Sequence, residues 1–221
     1  FLSFSFSQEF EINQYYGTVN IDGDIYSEPF LGGFNKPKVR WVDWDFDSDD
    51  DLFILDEDGS IKFYMNQSTI DDVHFDLIDT KFFGLYGIGW FFIDDFDDDE
   101  EYELLTQDIN NINQAIYYDI INDSLIEIGT IYDNSFYPVE SDAVMTPTLI
   151  DIDDDGDLDF FTGNMIGTIT FYENIGFIDN RPHFELITTF WQELYIVGPS
   201  VQRHGASAIN FIDIDSLSIA D

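Results

Sequence analysis

Nine residues, Asp151-Ile152-Asp153-Asp154-Asp155-Gly156-Asp157-Leu158-Asp159, carry six carboxylates, and the pattern comes back along the chain. Asp43-Trp44-Asp45-Phe46-Asp47-Ser48-Asp49-Asp50-Asp51 and Asp95-Phe96-Asp97-Asp98-Asp99-Glu100-Glu101-Tyr102-Glu103 place acids at the same alternate positions one, three, five, seven and nine. A degraded fourth copy runs from Asp213 through Asp215 to Asp221, with Leu217 at position five. The starts at 43, 95, 151 and 213 are separated by 52, 56 and 62 residues, so the chain is an array of modules.

A second element repeats in step with the first. Gly59-Ser60-Ile61-Lys62-Phe63-Tyr64-Met65-Asn66 matches Gly167-Thr168-Ile169-Thr170-Phe171-Tyr172-Glu173-Asn174 at five of eight positions, and each octet begins 16 residues after the first Asp of its loop. In the second module Ala115–Asp119 fills this slot after about two inserted residues. Short apolar runs precede the loops, at 39–42, 89–93, 148–150 and 209–212, and others follow them, at 52–55 and 158–162. β-Branched and aromatic residues bounded by Gly, Asn and Asp are strand and hairpin signals. Ile169 and Phe171 alternate with Thr170 and Tyr172 at the period of a strand. A further strand is expected at 74–78 and 183–187. About four strands in 50 to 60 residues is the module of a propeller blade, and no amphipathic helix is evident. The expected boundaries are 1–36 for the end of a preceding blade, 37–88, 89–146 and 147–207 for three repeats, and 208–221 for the start of a fourth.

Alternating acids with Gly at position six suit a hard cation. Calcium takes 6 to 8 oxygen ligands, and a tight loop supplies side-chain oxygens from positions one, three, five and nine and a carbonyl from seven. Two carboxylates about 4 Å apart repel by roughly 4 kcal/mol at an effective dielectric near 20. Several such pairs rival the stability of a whole domain, about 5–15 kcal/mol, unless an ion intervenes. The expected calcium ligands are Asp43, Asp45, Asp47, Asp49 and Asp51; Asp95, Asp97, Asp99, Glu101 and Glu103; Asp151, Asp153, Asp155, Asp157 and Asp159; and Asp213, Asp215 and Asp221. An EF-hand needs Glu at position twelve, where this chain has Ile54, Thr106 or Thr162, and a nonapeptide calcium β-helix recurs every nine residues.

The balance of 7 basic against 46 acidic residues gives a net charge of −39. Such a chain does not grip phosphate backbones or anionic lipid. The acids are clustered rather than scattered, which argues against a general adaptation to salt. Apolar residues at 44% supply a core, the absence of Cys excludes disulfides and thiolate metal sites, and no apolar run is long enough to span a membrane as a helix.

The apolar strand, the D-x-D-x-D-G-x-x-D loop of Asp151–Asp159, the second strand and the G-x-I-x-F-Y-x-N octets resemble FG-GAP/VCBS-type repeats. These are the calcium-loop blades of integrin-α-like β-propellers. The absence of a Phe-Gly…Gly-Ala-Pro signature places the resemblance on the VCBS-like branch. It implies an all-β propeller of seven or eight four-stranded blades, of which this chain carries about four as part of a longer polypeptide. It also implies a secreted or cell-surface module for adhesion, binding or scaffolding, with an extracellular protein or glycan as ligand. The alternatives are a polysaccharide-degrading, lyase-like propeller and a lectin-like carbohydrate binder.

No catalytic motif supports the enzymatic alternative. His74, His183 and His204 are far apart in sequence, and there is no zinc, nucleophile-elbow, phosphate-loop or dinucleotide pattern. Arg203-His204-Gly205 is a candidate ligand-contacting loop. Trp191 and Tyr195 are candidate sugar-stacking aromatics, more simply read as packing between blades. Asn66-Gln67-Ser68 and Asn122-Asp123-Ser124 fit the glycosylation triplet.

Overall fold

The computed structural model describes residues 17–26, 33–97, 99–142, 146–196 and 209–212. It divides into two compact units, residues 1–35 and 36–221. In the first, β1 (Val19–Ile21) and β2 (Asp24–Tyr26) form a two-stranded hairpin. Asp22 and Gly23 turn it with φ of 56° and 105°, the mirror-image turn that suits a right-twisted hairpin. The alternating stretch 1–7, the candidate loop Arg203-His204-Gly205 and the fourth acidic loop, with Asp213, Asp215 and Asp221, lie outside the described residues.

The second unit contains three four-stranded antiparallel sheets, each paired in chain order. The first comprises β3 (Lys38–Val42), β4 (Asp51–Leu55), β5 (Ile61–Asn66) and β6 (Phe75–Asp79). The second comprises β7 (Phe91–Asp94), β8 (Glu103–Gln107), β9 (Ala115–Ile121) and β10 (Ser124–Thr130). The third comprises β11 (Thr148–Ile150), β12 (Asp159–Gly163), β13 (Ile169–Phe177) and β14 (Pro182–Thr188). The chain is therefore all-β in its described residues, apart from two single turns of 3-10 helix at Phe82–Gly84 and Trp191–Glu193. The triplet Asn122-Asp123-Ser124 serves the β9–β10 hairpin: Asn122 and Asp123 both adopt left-handed φ, 49° and 57°.

Two apolar clusters join the sheets face to face. Phe53, Leu55 and Phe63 of the first sheet meet Phe91, Ile93 and Leu104 of the second. Phe92, Leu105 and Tyr117 of the second meet Phe160, Tyr172 and Phe184 of the third. Leu104 and Leu105 are adjacent, point to opposite faces, and are both fully buried. The middle sheet is thus covered on both sides, which is why all of β8 is buried instead of alternating. Phe53 stacks on Phe63 at 4.5 Å with Phe82 edge-on, and Phe161 stacks on Phe171 at 4.4 Å with Trp191 edge-on.

Basic side chains lace the seams. Lys38 donates to the Gly89 carbonyl, and Arg40 Nε donates to the Phe91 carbonyl at 3.1 Å with its guanidinium 4.0 Å above the Phe92 ring. Arg181 donates to the Thr130 carbonyl at 2.8 Å, tying the third sheet to the second.

The glycine that opens each octet is required by a close approach. Gly59 has φ of 73°, and a Cβ there would lie 2.5 Å from the Gly87 backbone nitrogen. Gly167 (φ 92°) is overlaid in the same way by the Ile196 carbonyl. In both places the segment leaving the sheet crosses the turn, with Ile88 N donating to Gly59 O at 3.3 Å and Ile196 N to Gly167 O at 2.8 Å. Gly176 has φ of 100° and open space around it. Gly59→Ala is expected to lower stability in urea by more than about 2 kcal/mol, since backbone must move. Gly176→Ala is expected to lose only the left-handed penalty of about 1–2 kcal/mol.

Candidate metal centres

Each acidic loop joins the first strand of a sheet to the second: Asp43–Asp51 between β3 and β4, Asp95–Glu103 between β7 and β8, Asp151–Asp159 between β11 and β12. In each, the acids at positions one, three and five offer oxygens lying within 4.8 Å of one another. The triads are Asp43, Asp45 and Asp47; Asp95, Asp97 and Asp99; and Asp151, Asp153 and Asp155.

The backbone explains the convergence. Position six is left-handed in all three loops, with φ of 77° at Ser48, 71° at Glu100 and 99° at Gly156. Only Gly156 adopts this without a side-chain penalty. The reversed chain aims the position-six N–H at the first carboxylate: Ser48 N to Asp43 Oδ2 at 3.1 Å, Glu100 N to Asp95 Oδ2 at 3.0 Å, Gly156 N to Asp151 Oδ2 at 3.0 Å. The fifth carboxylate accepts from position seven, as Asp155 Oδ1 does from Asp157 N at 3.0 Å. The side chains of Asp49, Glu101 and Asp157 at position seven are not members of the triads.

Position nine does a different task. Asp51 and Asp159 are 1% and 2% exposed and use both oxygens on backbone N–H groups. Asp51 Oδ2 accepts from Trp44 N at 3.1 Å and Oδ1 from Asn66 N at 2.6 Å. Asp159 Oδ2 accepts from Ile152 N at 3.3 Å and Oδ1 from Asn174 N at 2.8 Å. Glu103 Oε2 accepts from Phe96 N at 2.8 Å. This carboxylate clasps the start of its loop to the sheet.

The last residue of each octet completes the clasp. Asn66 Nδ2 donates to Asp50 O at 3.0 Å while its Oδ1 accepts from Ser68 N at 3.0 Å. Asn174 repeats this with Leu158 O at 3.2 Å and Gly176 N at 3.1 Å. In the second sheet Ile120 occupies the corresponding place, so this latch is missing there. Loop two is instead tied to loop one: the Tyr102 hydroxyl donates to Asp43 O at 2.9 Å, and its ring stacks on Trp44 and Phe46 at 5.6 and 5.2 Å. The amide of Asn66 is thus committed to its loop.

Among the described residues no Lys, Arg or His pairs with a triad carboxylate. Burial, opposed by the backbone donors and reinforced by neighbouring acids, raises the carboxyl of Asp159 to about 6 and that of Glu103 to about 8. Asp51 is raised for the same reasons. Asp49, Asp97 and Asp153 are raised by desolvation and then by the adjacent aspartates. Two oxygens, Asp43 Oδ1 and Asp49 Oδ1, are shut off from solvent without a hydrogen-bond partner. Such orphaned anionic oxygens beside a carboxylate triad fit a bound cation.

The other expected positions lie elsewhere. His74, just ahead of β6, pairs with Asp76 at 3.0 Å on the surface, and His183 is half-buried on β14. Trp191 packs edge-on against Phe161 and Phe211 at 5.1 and 5.7 Å, whereas Tyr195 is 43% exposed. No family model, characterised protein or solved structure matches the chain.

Two outcomes are expected here. Carboxyls with folded values above their unfolded ones hold extra protons in the native state, so they favour folding at low pH and this contribution is lost as pH rises through the folded values. Metal-free protein is therefore expected to lose stability from about pH 4 to pH 8, measured as the urea midpoint at each pH, if Asp51, Asp159 and Glu103 behave as placed. A flat or rising profile contradicts the placement. Asn174→Ala, which strips a buried donor and acceptor, is expected to lower stability by roughly 1–3 kcal/mol.

Proposed function

We propose that this chain is part of a calcium-stabilised β-propeller of the FG-GAP/VCBS type, serving outside the cell as an adhesion, binding or scaffold module. The reading rests on one observation above the others: three loops at equivalent places each gather three carboxylates within 4.8 Å, and one of them keeps anionic oxygens buried without partners. The first, third and fifth residues of each loop are the side chains that would hold the ion, and position nine keeps them in place. Calcium would supply the positive charge that the loops lack and so staple the first two strands of each sheet. Repeated four-stranded sheets stacked face to face, the middle one covered on both sides, are the arrangement from which a propeller ring is built. Loops of this kind fill at 10⁻⁴–10⁻³ M calcium, a level found outside cells.

The test is calorimetry with calcium and with chelator, together with the calcium content of the dialysed protein. One ion held at a hundred times its dissociation constant contributes about 2.7 kcal/mol, or roughly 5–10 °C for a chain of this size. Chelation is expected to lower Tm by at least that much. Asp153→Ala is expected to lower Tm in millimolar calcium and to shrink the difference made by chelator, and Asp123→Ala, in a left-handed hairpin turn, to lower Tm by the same amount with calcium and with chelator. Equal Tm with and without calcium, or no bound calcium, overturns the reading.

A further inference from the structure

Position eight of the acidic loop is Asp50 in loop one, Tyr102 in loop two and Leu158 in loop three. Of the three side chains, the tyrosine alone brings a strong donor together with a ring. Its hydroxyl donates to the Asp43 carbonyl at 2.9 Å. Its ring lies 5.2 Å from that of Phe46 at an interplanar angle of 2°, and 5.6 Å from that of Trp44 at 16°. Burial, and then Asp43 and the other aspartates nearby, hold the phenol above its ordinary pKa, so it stays a donor.

These contacts fall on the residues that shape the triad of loop one. Asp43, Trp44 and Phe46 are its positions one, two and four, interleaved with Asp45 and Asp47. Phe46 has φ of 59° and is 62% exposed. Position four of loop three is left-handed too, with φ of 64°, but the residue there is Asp154. Aspartate visits this region several times more readily than a bulky side chain does, so Phe46 needs an outside support. The ring of Tyr102 supplies one. The turn at Phe46 in its own right sets the angle between Asp45 and Asp47, its two neighbours in the chain.

Tyr102 is itself held by loop two from both flanks. On one side Glu101 N donates to Asp99 Oδ1 at 2.9 Å, a carboxylate of the second triad. On the other, Glu103 is buried and accepts from Phe96 N at 2.8 Å. A phenol on a loop splayed by its own unbalanced carboxylates must be ordered before it can reach loop one. A phenol on a loop closed around a balanced triad is ordered already. That difference is a free-energy link between the two loops, and it acts equally in both directions.

We propose that Tyr102 couples the first two acidic loops, so that cation binding at loop two strengthens cation binding at loop one and the reverse, while loop three fills independently of loop one. The inference rests on the calcium reading of the loops and adds a shared response to it: loops one and two fill over a narrower range of calcium than separate sites do.

The experiment titrates the full chain with terbium, a hard cation that stands in for calcium, and excites its emission through tryptophan. Trp41 and Trp44 lie beside and within loop one, whereas Trp90 and Trp191 lie past the ends of β7 and β14 that face away from the loops, so the emission reports loop one. Asp97→Asn with Asp99→Asn, which disables loop two, is expected to raise the terbium concentration that half-fills loop one by at least about fivefold, the low end of ordinary coupling between sites. In a Tyr102→Leu background, with the side chain that loop three carries at this place, the same change is expected to shift it by less than about twofold, the share left to lost charge in physiological salt. Asp153→Asn with Asp155→Asn, which disables loop three, is expected to leave loop one unmoved. An undiminished shift in the Tyr102→Leu background shows that the loops communicate by charge alone and overturns the proposal. If Tyr102→Leu fails to fold, Tyr102→Phe decides: losing the one hydroxyl is expected to reduce the logarithm of the shift by roughly half, and an unchanged shift overturns the proposal. Saturable filling of loop one that ignores the state of loop two overturns the coupling and leaves the calcium reading standing. Emission that never saturates, with no calcium retained by the dialysed protein, overturns both.

Discussion

Every acidic loop depends on one buried carboxylate at its ninth position. A carboxylate taken out of water is costly unless donors reach it, and Asp51 and Asp159 each meet two backbone N–H groups, one from the start of the loop and one from the third strand. That single side chain thereby fixes three pieces of backbone. The loop cannot relax its crowded triad by swinging outward without breaking the clasp. Repulsion among positions one, three and five is therefore carried by the first two strands of each sheet, and the sheets are only as secure as the charge in their loops is balanced.

The protein's own cations do not balance it. With 7 basic residues against 46 acids, pairing could at best reach a small fraction. Among the described residues even that fraction is spent elsewhere: Lys38, Arg40 and Arg181 reach across the seams and donate to backbone carbonyls on the far side. Lys36–Glu57, Lys62–Asp58 and His74–Asp76 are ion pairs, and none of them touches a triad. Exposed pairs of this kind contribute little. Among the described residues the scarce positive charge caps backbone between sheets, where a lost donor is costly, and none of it reaches a triad.

Much of this is legible along the chain because strands and short loops are local. The period of two, the fixed offset from first Asp to octet, and the triads at alternate positions all follow from residues close in sequence. Residues whose partners are distant were opaque. The Asn that ends each octet reads as a strand residue, yet Asn66 and Asn174 latch the loop, and only the fold brings that loop beside them. Tyr102 falls between the acids at positions seven and nine with no part in their pattern, yet it bridges two loops. One signal was available: Phe82-Phe83-Gly84-Leu85-Tyr86 and Trp191-Gln192-Glu193-Leu194-Tyr195 start 39 and 40 residues after their first Asp and form the same 3-10 turn, with φ of 52° at Phe83 and at Gln192. Identity at only Leu and Tyr hides a pair whose common feature is a backbone angle.

The seams also explain why no one sheet is self-sufficient. Trp41, Ile93 and Leu149 hold the same place before their loops, two residues ahead of the first Asp. Ile93 is buried against the first sheet and Leu149 packs on the cluster formed with the second. Trp41 is 55% exposed at the same place. The apolar character is thus set by the position and its burial by the neighbour. A four-stranded sheet with two apolar faces can hide neither by itself, so each module's stability is mostly an interface term supplied by the next. Any change that stiffens one loop then acts on two seams at once, because the strands it joins, such as β7 and β8, carry Phe91 and Leu104 to one neighbour and Phe92 and Leu105 to the other.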